Sequence, residues 1–146
     1  MADLAINKRA RFDYEILETF EAGIELLGFE VKAIRAGKLN LSGSYVIIRG
    51  NEAYLINADL PPYQPLNTPK DYDSKRARRL LLRKDEIKKL MGRVKESGLT
   101  ILPLNAYNKG ALIKIKIGLG KPKKKSDKRE TIKKREAERE ISRTKF

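Results

Sequence analysis

The chain has 146 residues and a formal charge of +14, from 33 Lys and Arg against 19 Asp and Glu. It contains no Cys and no His, which excludes disulfides and thiolate metal sites and removes the commonest general base. A cationic surplus of this size favours a nucleic-acid partner, because Lys and Arg displace counterions from a phosphate backbone, although composition alone also allows a soluble protein that is simply basic.

A basic cluster over residues 7–11 is followed by the aromatic residues Phe12 and Tyr14. We place this cluster ahead of the first strand. That strand is predicted over residues 20–26, where apolar residues alternate with polar or small ones, as they do in a half-buried strand.

Two hairpins are predicted further along the chain. Residues 44–58 hold two runs of β-branched and aromatic residues on either side of residues 50–52. Residues 99–120 hold two more runs, which flank a turn signal at residues 108–110. The last strand of this hairpin alternates isoleucines with Lys114 and Lys116, so both lysines should project from the face opposite to the isoleucines.

One helix and one loop interrupt the strands. Residues 85–97 place four apolar residues at i, i+3, i+4 and i+7, which predicts an amphipathic helix that ends at Gly98. Residues 60–73 are rich in proline and predict a long surface loop. A second basic cluster, residues 75–79, follows that loop.

The last 26 residues carry twelve basic and five acidic side chains, which is half of the net charge of the chain. They have too few apolar residues to bury a face, so this tail should be disordered when free. Asp127 and Glu130 have the spacing of a capping box, so a helix should begin at Asp127 once RNA screens the repulsion among the basic residues.

Many short strands and one internal helix in about 120 residues predict a mainly β fold. We expect an oligonucleotide-binding (OB) type antiparallel barrel with inserted helices and a basic C-terminal tail. The two units would be an RNA-binding barrel over residues 1–120 and the tail over residues 121–146.

The residues predict a binding protein rather than an enzyme. Gly-rich phosphate loops, nucleophile elbows and HExxH motifs are missing from the sequence, and we expect no cofactor and no metal. Taken alone, each basic patch (residues 7–11, 75–79 and 114–116) would be interpreted as a solvent-exposed face without a partner. Together they predict an RNA-binding surface on which cations contact phosphates and aromatic rings stack on unpaired bases.

No apolar run approaches the ~20 residues that a membrane span needs. The first six residues lack the apolar core of a signal peptide. We therefore expect a cytoplasmic protein without a membrane partner.

Several short blocks occur together in a fixed order. They are residues 7–14 (NKRARFDY), 20–24 (FEAGI), 28–32 (GFEVK), 35–38 (RAGK), 44–45 (SY), 62–63 (PY), 79–82 (RLLL), 98–100 (GLT) and 127–130 (DKRE). In these blocks the chain resembles the small protein B family, also called SsrA-binding proteins, over about residues 7–140.

The resemblance implies an OB-type barrel whose basic tail is disordered when free and helical on the ribosome. It also implies binding to the tRNA-like domain of transfer-messenger RNA, and delivery of that RNA, with elongation factor Tu, to the empty A site of stalled ribosomes. Trans-translation would follow, in which the stranded peptide is tagged and the ribosome released. The body would stand in place of an anticodon arm, and the tail would recognise the vacant messenger channel near ribosomal RNA.

Glu21, Leu81 and Lys114 fall where the family has residues important for binding transfer-messenger RNA, although the residues alone equally allow an exposed Glu paired with Lys and a core Leu. Residues 127–129 match a tail motif that acts after binding, during accommodation. The RNA-binding set is Lys8, Arg9, Arg11, Glu21, Arg79, Leu81, Lys114 and Lys116. The set expected to contact the ribosome and its decoding centre is Phe12, Lys123, Lys124, Asp127, Lys128, Arg129, Lys133, Lys134 and Arg135.

Two positions depart from the family pattern. Phe12 stands where the family usually has His, so stacking remains possible there while hydrogen bonding does not. Pro122 stands where the family tends to have Gly, so the hinge before the tail should be stiffer and more extended.

Two other functions remain open. One is an OB-fold ribosomal or initiation protein that binds ribosomal RNA without transfer-messenger RNA. The other is an assembly or chaperone protein whose basic tail makes nonspecific contacts. The ordered blocks argue against both, whereas composition does not.

Overall fold

A computed structural model describes residues 3–144, except for the side chains of Lys125, Asp127 and residues 140–144. The helices are α1 (Lys8–Asp13), α2 (Gly28–Arg35), α3 (Lys84–Ser97) and α4 (Lys125–Thr144), with a short 3-10 helix at Pro65–Asn67. The strands are β1 (Asp3–Ile6), β2 (Tyr14–Ile24), β3 (Tyr45–Arg49), β4 (Glu52–Ile56), β5 (Arg78–Leu81), β6 (Thr100–Lys109) and β7 (Leu112–Pro122).

The fold is a mainly β, antiparallel sheet with several helices. The strand order is β1-β6-β3-β4-β5-β2-β7, and β6 also pairs with β7. Strand pairing followed from β6 through β3, β4, β5, β2 and β7 therefore leads back to β6. The longest pairings join β7 to β2 and to β6, so these three strands form a continuous platform.

The main core contains buried residues of β2 to β7 and of the helices α2 and α3. Ile115 and Ile117 of β7 are fully buried in it, together with Leu55 of β4. The helices α2 and α3 contribute Ile34 and Leu90, which are also fully buried. Burial of such side chains stabilises a fold by about 1.5–3 kcal/mol each, and the alternation predicted for the last strand is confirmed.

A second, smaller cluster lies under α1 on the other side of the sheet. Ala10 packs there with Leu102 and Leu104 of β6, against Ile16 of β2. Gly118 makes room for this contact, because a Cβ at that position would lie 2.9 Å from Ile16 Cγ2. The glycine therefore leaves space for the side chains of Ile16 and Leu104 in this cluster.

Both predicted hairpins are confirmed. β3 and β4 are joined by Gly50 and Asn51, which have φ angles of 58° and 63°. β6 and β7 are joined through Gly110, with φ 61°. The predicted helix is α3, which begins one residue earlier than expected and ends at Gly98 in the left-handed conformation.

Other element predictions were wrong. β1 precedes the basic cluster, which forms α1 instead of lying ahead of the first strand. The strand predicted over residues 20–26 begins at Tyr14 and ends at Ile24. The prediction of a single internal helix missed α1 and α2, which have six and eight residues. Helices this short depend on tertiary contacts rather than on propensity, and they contain too few turns to establish a helical period in the sequence.

The tail forms α4, which begins at Lys125, two residues before the predicted start. Asp127 therefore lies in the first turn rather than at the cap, and its side chain is outside the described residues. Disorder of the free tail and a stiffer hinge at Pro122 stay predictions. Within residues 3–144 we find no helix that combines the length and apolar character needed to span a membrane.

Candidate nucleic-acid interface

Gly23 is the centre of a patch on the outer face of the sheet. It pairs with Leu81 of β5 on one side and with Lys114 of β7 on the other. Glu21 lies two residues earlier on β2, opposite Lys116. Directly paired residues, and residues two apart on a strand, share a face. The side chains of Leu81 and of three residues on β2 and β7 therefore project from the same side of the sheet: Glu21, Lys114 and Lys116.

A cleft of about 510 Å³ lies over this patch and is lined by Glu21, Gly23, Arg79, Leu81 and Lys114, among other residues. Leu81 is 46% exposed, so its interpretation as a core residue is wrong. A Cβ on residue 23 would lie 3.1 Å from Leu81 Cβ, so glycine keeps the floor of the cleft open. We call this surface the β2–β5–β7 patch.

Glu21 is held by two side chains of β6. The Tyr107 hydroxyl donates to Glu21 Oε2, and Lys109 Nζ donates to Oε1 at 2.9 Å. These hydrogen bonds, that of Tyr107 foremost, lower the pKa of Glu21. Burial and the Glu21 acceptor raise the pKa of Tyr107 to about 12. The Glu21 carboxylate is therefore ionised and held in one orientation. The sequence alone allows a pairing of Glu21 with a Lys, and in the structure that Lys is Lys109.

The second basic cluster does not form one patch. Arg78 is fully buried, and Arg76 is partly covered. Both pair with the buried Glu30. Arg79 faces outward, but Glu25 at 2.9 Å and Glu52 at 3.0 Å flank its guanidinium. Of these three arginines, Arg79 is the one placed in the cleft, and two carboxylates already offset its charge.

Phe12 is surrounded by cations of α1 and α4. Arg9 Cζ lies 5.4 Å from the ring centroid, Arg135 Cζ 5.7 Å and Lys128 Nζ 5.9 Å. Cations at this distance are attracted to the negative face of an aromatic ring. The tail is therefore packed against the Phe12 ring.

Asp13 joins α1 to the tail a second time. Its carboxylate lies 2.8 Å from Arg9 Nε and 3.1 Å from Lys128 Nζ, and its carbonyl accepts from the Lys123 N–H at 2.9 Å. Burial alone would raise the pKa of Asp13, but Lys128 and Arg9 lower it. Asp13 is thus an anionic contact for the tail that the sequence patterns did not reveal.

A second cleft, of about 490 Å³, adjoins Phe12. Lys8, Arg9 and Arg135 supply its charges, and Asn7 and Ser42 supply polar groups. None of the described residues that line it is acidic, so this cleft suits an anionic group. We call it the α1–α4 cleft.

The other predicted residues occupy the surfaces around these clefts. Arg11 is exposed on α1. Lys123 Nζ donates to Thr131 at 2.9 Å. The side chains along the open face of the tail are exposed; they are Lys124, Arg129, Lys133 and Lys134.

Sequence reasoning missed Tyr107 and Lys109 as partners of Glu21. A signal was available, since the hairpin turn at Gly110 pairs Tyr107 with Lys114 and so places it beside the lysine strand. The packing of α4 on α1 had no comparable signal, because the two segments lie far apart in the sequence and contact through single side chains.

Comparison with known proteins identifies similar chains. The family model described as SmpB protein matches residues 4–145. An SsrA-binding protein of Microcystis aeruginosa is 52% identical over 137 residues, which cover 94% of this chain and 89% of that protein. One of Nostoc punctiforme is 49% identical over 140 residues, covering 96% and 90%.

A solved structure is also similar. It is described as "tmRNA-SmpB: a journey to the center of the bacterial ribosome". The TM-score is 0.67 at 43% sequence identity, and the match covers 87% of this chain and 92% of that one.

Proposed function

The chain belongs to the SmpB protein family, and from this premise we propose that it binds the tRNA-like domain of transfer-messenger RNA and delivers it to the empty A site of stalled ribosomes. Trans-translation, with peptide tagging and ribosome rescue, would be the outcome. The names of its relatives and the ribosomal complex of its structural neighbour support this function. The protein would act in the cytoplasm, without catalysing a reaction, and elongation factor Tu would join through the RNA.

The observation that carries the proposal is the meeting of Glu21, Leu81 and Lys114 around Gly23. Three residues from three strands form one cleft, and they offer three different contacts. Lys114 provides a cation for a phosphate, and Leu81 provides an apolar surface for an unstacked base. Glu21 provides an acceptor for donors on a base edge or a ribose hydroxyl.

The closed path of strand pairing supports an OB-type barrel as the scaffold. Such barrels join antiparallel strands with an inserted helix and bind oligonucleotides on an outer face. In this chain the β2–β5–β7 patch occupies an outer face, while the isoleucines of β7 fill the interior. We therefore propose residues 1–120 as the RNA-binding unit and residues 121–146 as a separate tail.

The α1–α4 cleft would contact the ribosome. Phe12 would stack on an unpaired base, and Lys8, Arg9 and Arg135 would neutralise the adjoining phosphates. Lys128 and Arg135 of the tail lie over the Phe12 ring, so a base that stacks there would displace these two side chains from the ring, while Arg9 belongs to α1. The cationic side chains of the tail would then be available to the vacant messenger channel.

The test is recovery of bound RNA from cells. The tagged full-length chain is purified, and its RNA is resolved on a denaturing gel. A single transfer-messenger RNA band is expected. Leu81→Ala should deplete this band, whereas Leu66→Ala should not, because Leu66 is fully exposed on the loop outside the cleft. Bulk ribosomal RNA in place of that band would refute the proposal and favour a general ribosome-binding protein.

A further inference from the structure

Tyr107 is a tyrosine of β6 whose hydroxyl contacts a residue two strands away. Tyr107 pairs with Lys114 of β7, and Glu21 of β2 pairs with Lys116 of β7. The hydrogen bond from Tyr107 to Glu21 therefore passes over β7, between the two lysines of the β2–β5–β7 patch. The hydroxyl of Tyr107 is thus built into the proposed RNA-binding surface.

The side chain of Tyr107 is a rigid donor. It is only 8% exposed, while Glu21 remains 37% exposed at its side chain. A packed ring has already lost its rotamer freedom on folding, so it holds its acceptor at little further entropic cost. Tyr107 therefore restrains Glu21 without covering it.

Lys109 completes the restraint from the same strand. Its Nζ binds Oε1 while the Tyr107 hydroxyl binds Oε2, so each carboxylate oxygen has one partner. A carboxylate oxygen has two lone pairs, and the exposed side of Glu21 keeps acceptor capacity for a ligand. An unrestrained Glu21 would instead be free to swing onto Lys114 or Lys116, which would also neutralise those cations.

We propose that Tyr107 is a positioning residue for RNA recognition. It fixes the Glu21 carboxylate so that the carboxylate accepts hydrogen bonds from an unpaired base edge or a ribose hydroxyl, and it keeps Lys114 and Lys116 available for phosphates. This inference rests on the proposed function, because the tRNA-like domain is the RNA that the patch would bind.

The test is a double-mutant cycle on the full-length chain with the isolated tRNA-like domain of transfer-messenger RNA. Affinity is measured by fluorescence anisotropy for the wild type, Tyr107→Phe, Glu21→Ala and the double variant. Tyr107→Phe removes one hydroxyl and should weaken binding about ten-fold, the scale of a hydrogen bond to a charged group. In the Glu21→Ala background the same change should alter affinity less than two-fold.

Tyr45→Phe is the matched control, since it removes a hydroxyl from an exposed strand tyrosine outside the patch and should leave affinity unchanged. The slope of log affinity against log salt should also become shallower in Tyr107→Phe and stay unchanged in Tyr45→Phe, because the released Glu21 neutralises Lys114 or Lys116 and a phosphate contact is lost. Glu21→Asp provides a second probe at an exposed site. It keeps the charge but shortens the side chain away from Tyr107, and it should weaken binding to a similar degree.

The outcomes separate this inference from the function on which it rests. A wild-type chain that fails to bind the tRNA-like domain refutes the proposed function. A wild type that binds, with Tyr107→Phe equally tight, overturns only the positioning role. A loss that persists undiminished in the Glu21→Ala background shows that Tyr107 supports the sheet rather than Glu21, and it overturns the inference as well.

Discussion

Glu30 and Arg78 form an ion pair in which both side chains are completely buried, with Arg78 Nη2 2.8 Å from Glu30 Oε2. The remaining donors and acceptors are also satisfied. Glu30 accepts from the Leu27 N–H and the Tyr72 hydroxyl, and Arg78 donates to the carbonyls of Ala58 and Ser74. The pair therefore ties α2 to β5, and its further hydrogen bonds tie both to the long loop before β5.

Arg78→Met should destabilise the protein by about 3–5 kcal/mol, because it leaves the Glu30 charge buried with one partner fewer. Lys89→Met is the matched control: it breaks the exposed pair with Glu18 and should cost less than about 1 kcal/mol. Urea unfolding at neutral pH measures both. Similar losses in the two variants would contradict the structural role of the buried pair.

The Glu30 carboxylate should also make the free energy of unfolding depend on pH in the acid range. Burial would raise the pKa of Glu30, but Arg76, the Leu27 N–H and Arg78 lower it from 4.5 to about 2. A depressed folded-state pKa stabilises the protein above the unfolded value, so the contribution is lost as the pH falls from about 4.5 towards 2. That contribution is about 3 kcal/mol. Unfolding free energies measured from pH 6 to pH 2.5 should fall less steeply for Glu30→Gln than for the wild type.

Lys114→Ala should weaken binding to the isolated tRNA-like domain while the fold stays intact. Loss of one phosphate contact should reduce the slope of log affinity against log salt by about one unit. Lys70→Ala, on the exposed loop, serves as the control of equal charge. An unchanged slope and affinity would mean that Lys114 is a solvated strand residue.

Phe12→Leu should reduce peptide tagging on stalled ribosomes while binding to transfer-messenger RNA survives. Leu keeps apolar bulk but lacks the flat π-face, and a base–aromatic stack is worth about 1–3 kcal/mol. A reconstituted tagging assay measures the first effect and anisotropy measures the second. Unfolding of this variant would show that the ring has a structural role instead.

Truncation after Pro122 should abolish tagging and leave transfer-messenger RNA binding nearly intact. β7 ends at Pro122, so the cut spares the sheet and the β2–β5–β7 patch. Circular dichroism of a peptide spanning residues 121–146 should show little helix in water, because its charge pairs contribute only ~0.2–0.5 kcal/mol each. A truncated protein that still tags, or a fully helical free peptide, would count against a tail that folds on RNA.

The sequence was most informative where the structure depends on residues close together in one strand or helix. The alternation of Ile115 with Lys114 and Lys116 predicts which side of β7 is buried, since side-chain direction has a period of two. The predicted helix before Gly98 also needed only local information. By contrast, Glu30 and Arg78 are 48 residues apart, and nothing local distinguishes a buried arginine from its exposed neighbour Arg79.

The candidate site also combines residues that the sequence indicated with contacts that it did not. The family resemblance selected Glu21, Leu81 and Lys114 as separate positions, and their meeting around Gly23 depends on the register of three strands. Tyr107 and Asp13 act through contacts that cross the sheet or join two helices. Such contacts are set by tertiary packing, which residue types and spacing do not specify.

The continuous pairing of β2 with β7 also fixes a length. Tyr14, next to α1, and Glu21, in the β2–β5–β7 patch, are seven residues apart on one strand, which is about 23 Å at the usual rise. β7 is bonded alongside over the same stretch, apart from one bulge between Ile16 and Glu18. The paired strands therefore hold the two surfaces that we propose to contact different RNAs at a fixed distance from each other. Binding of one RNA determines how far away the other RNA must lie.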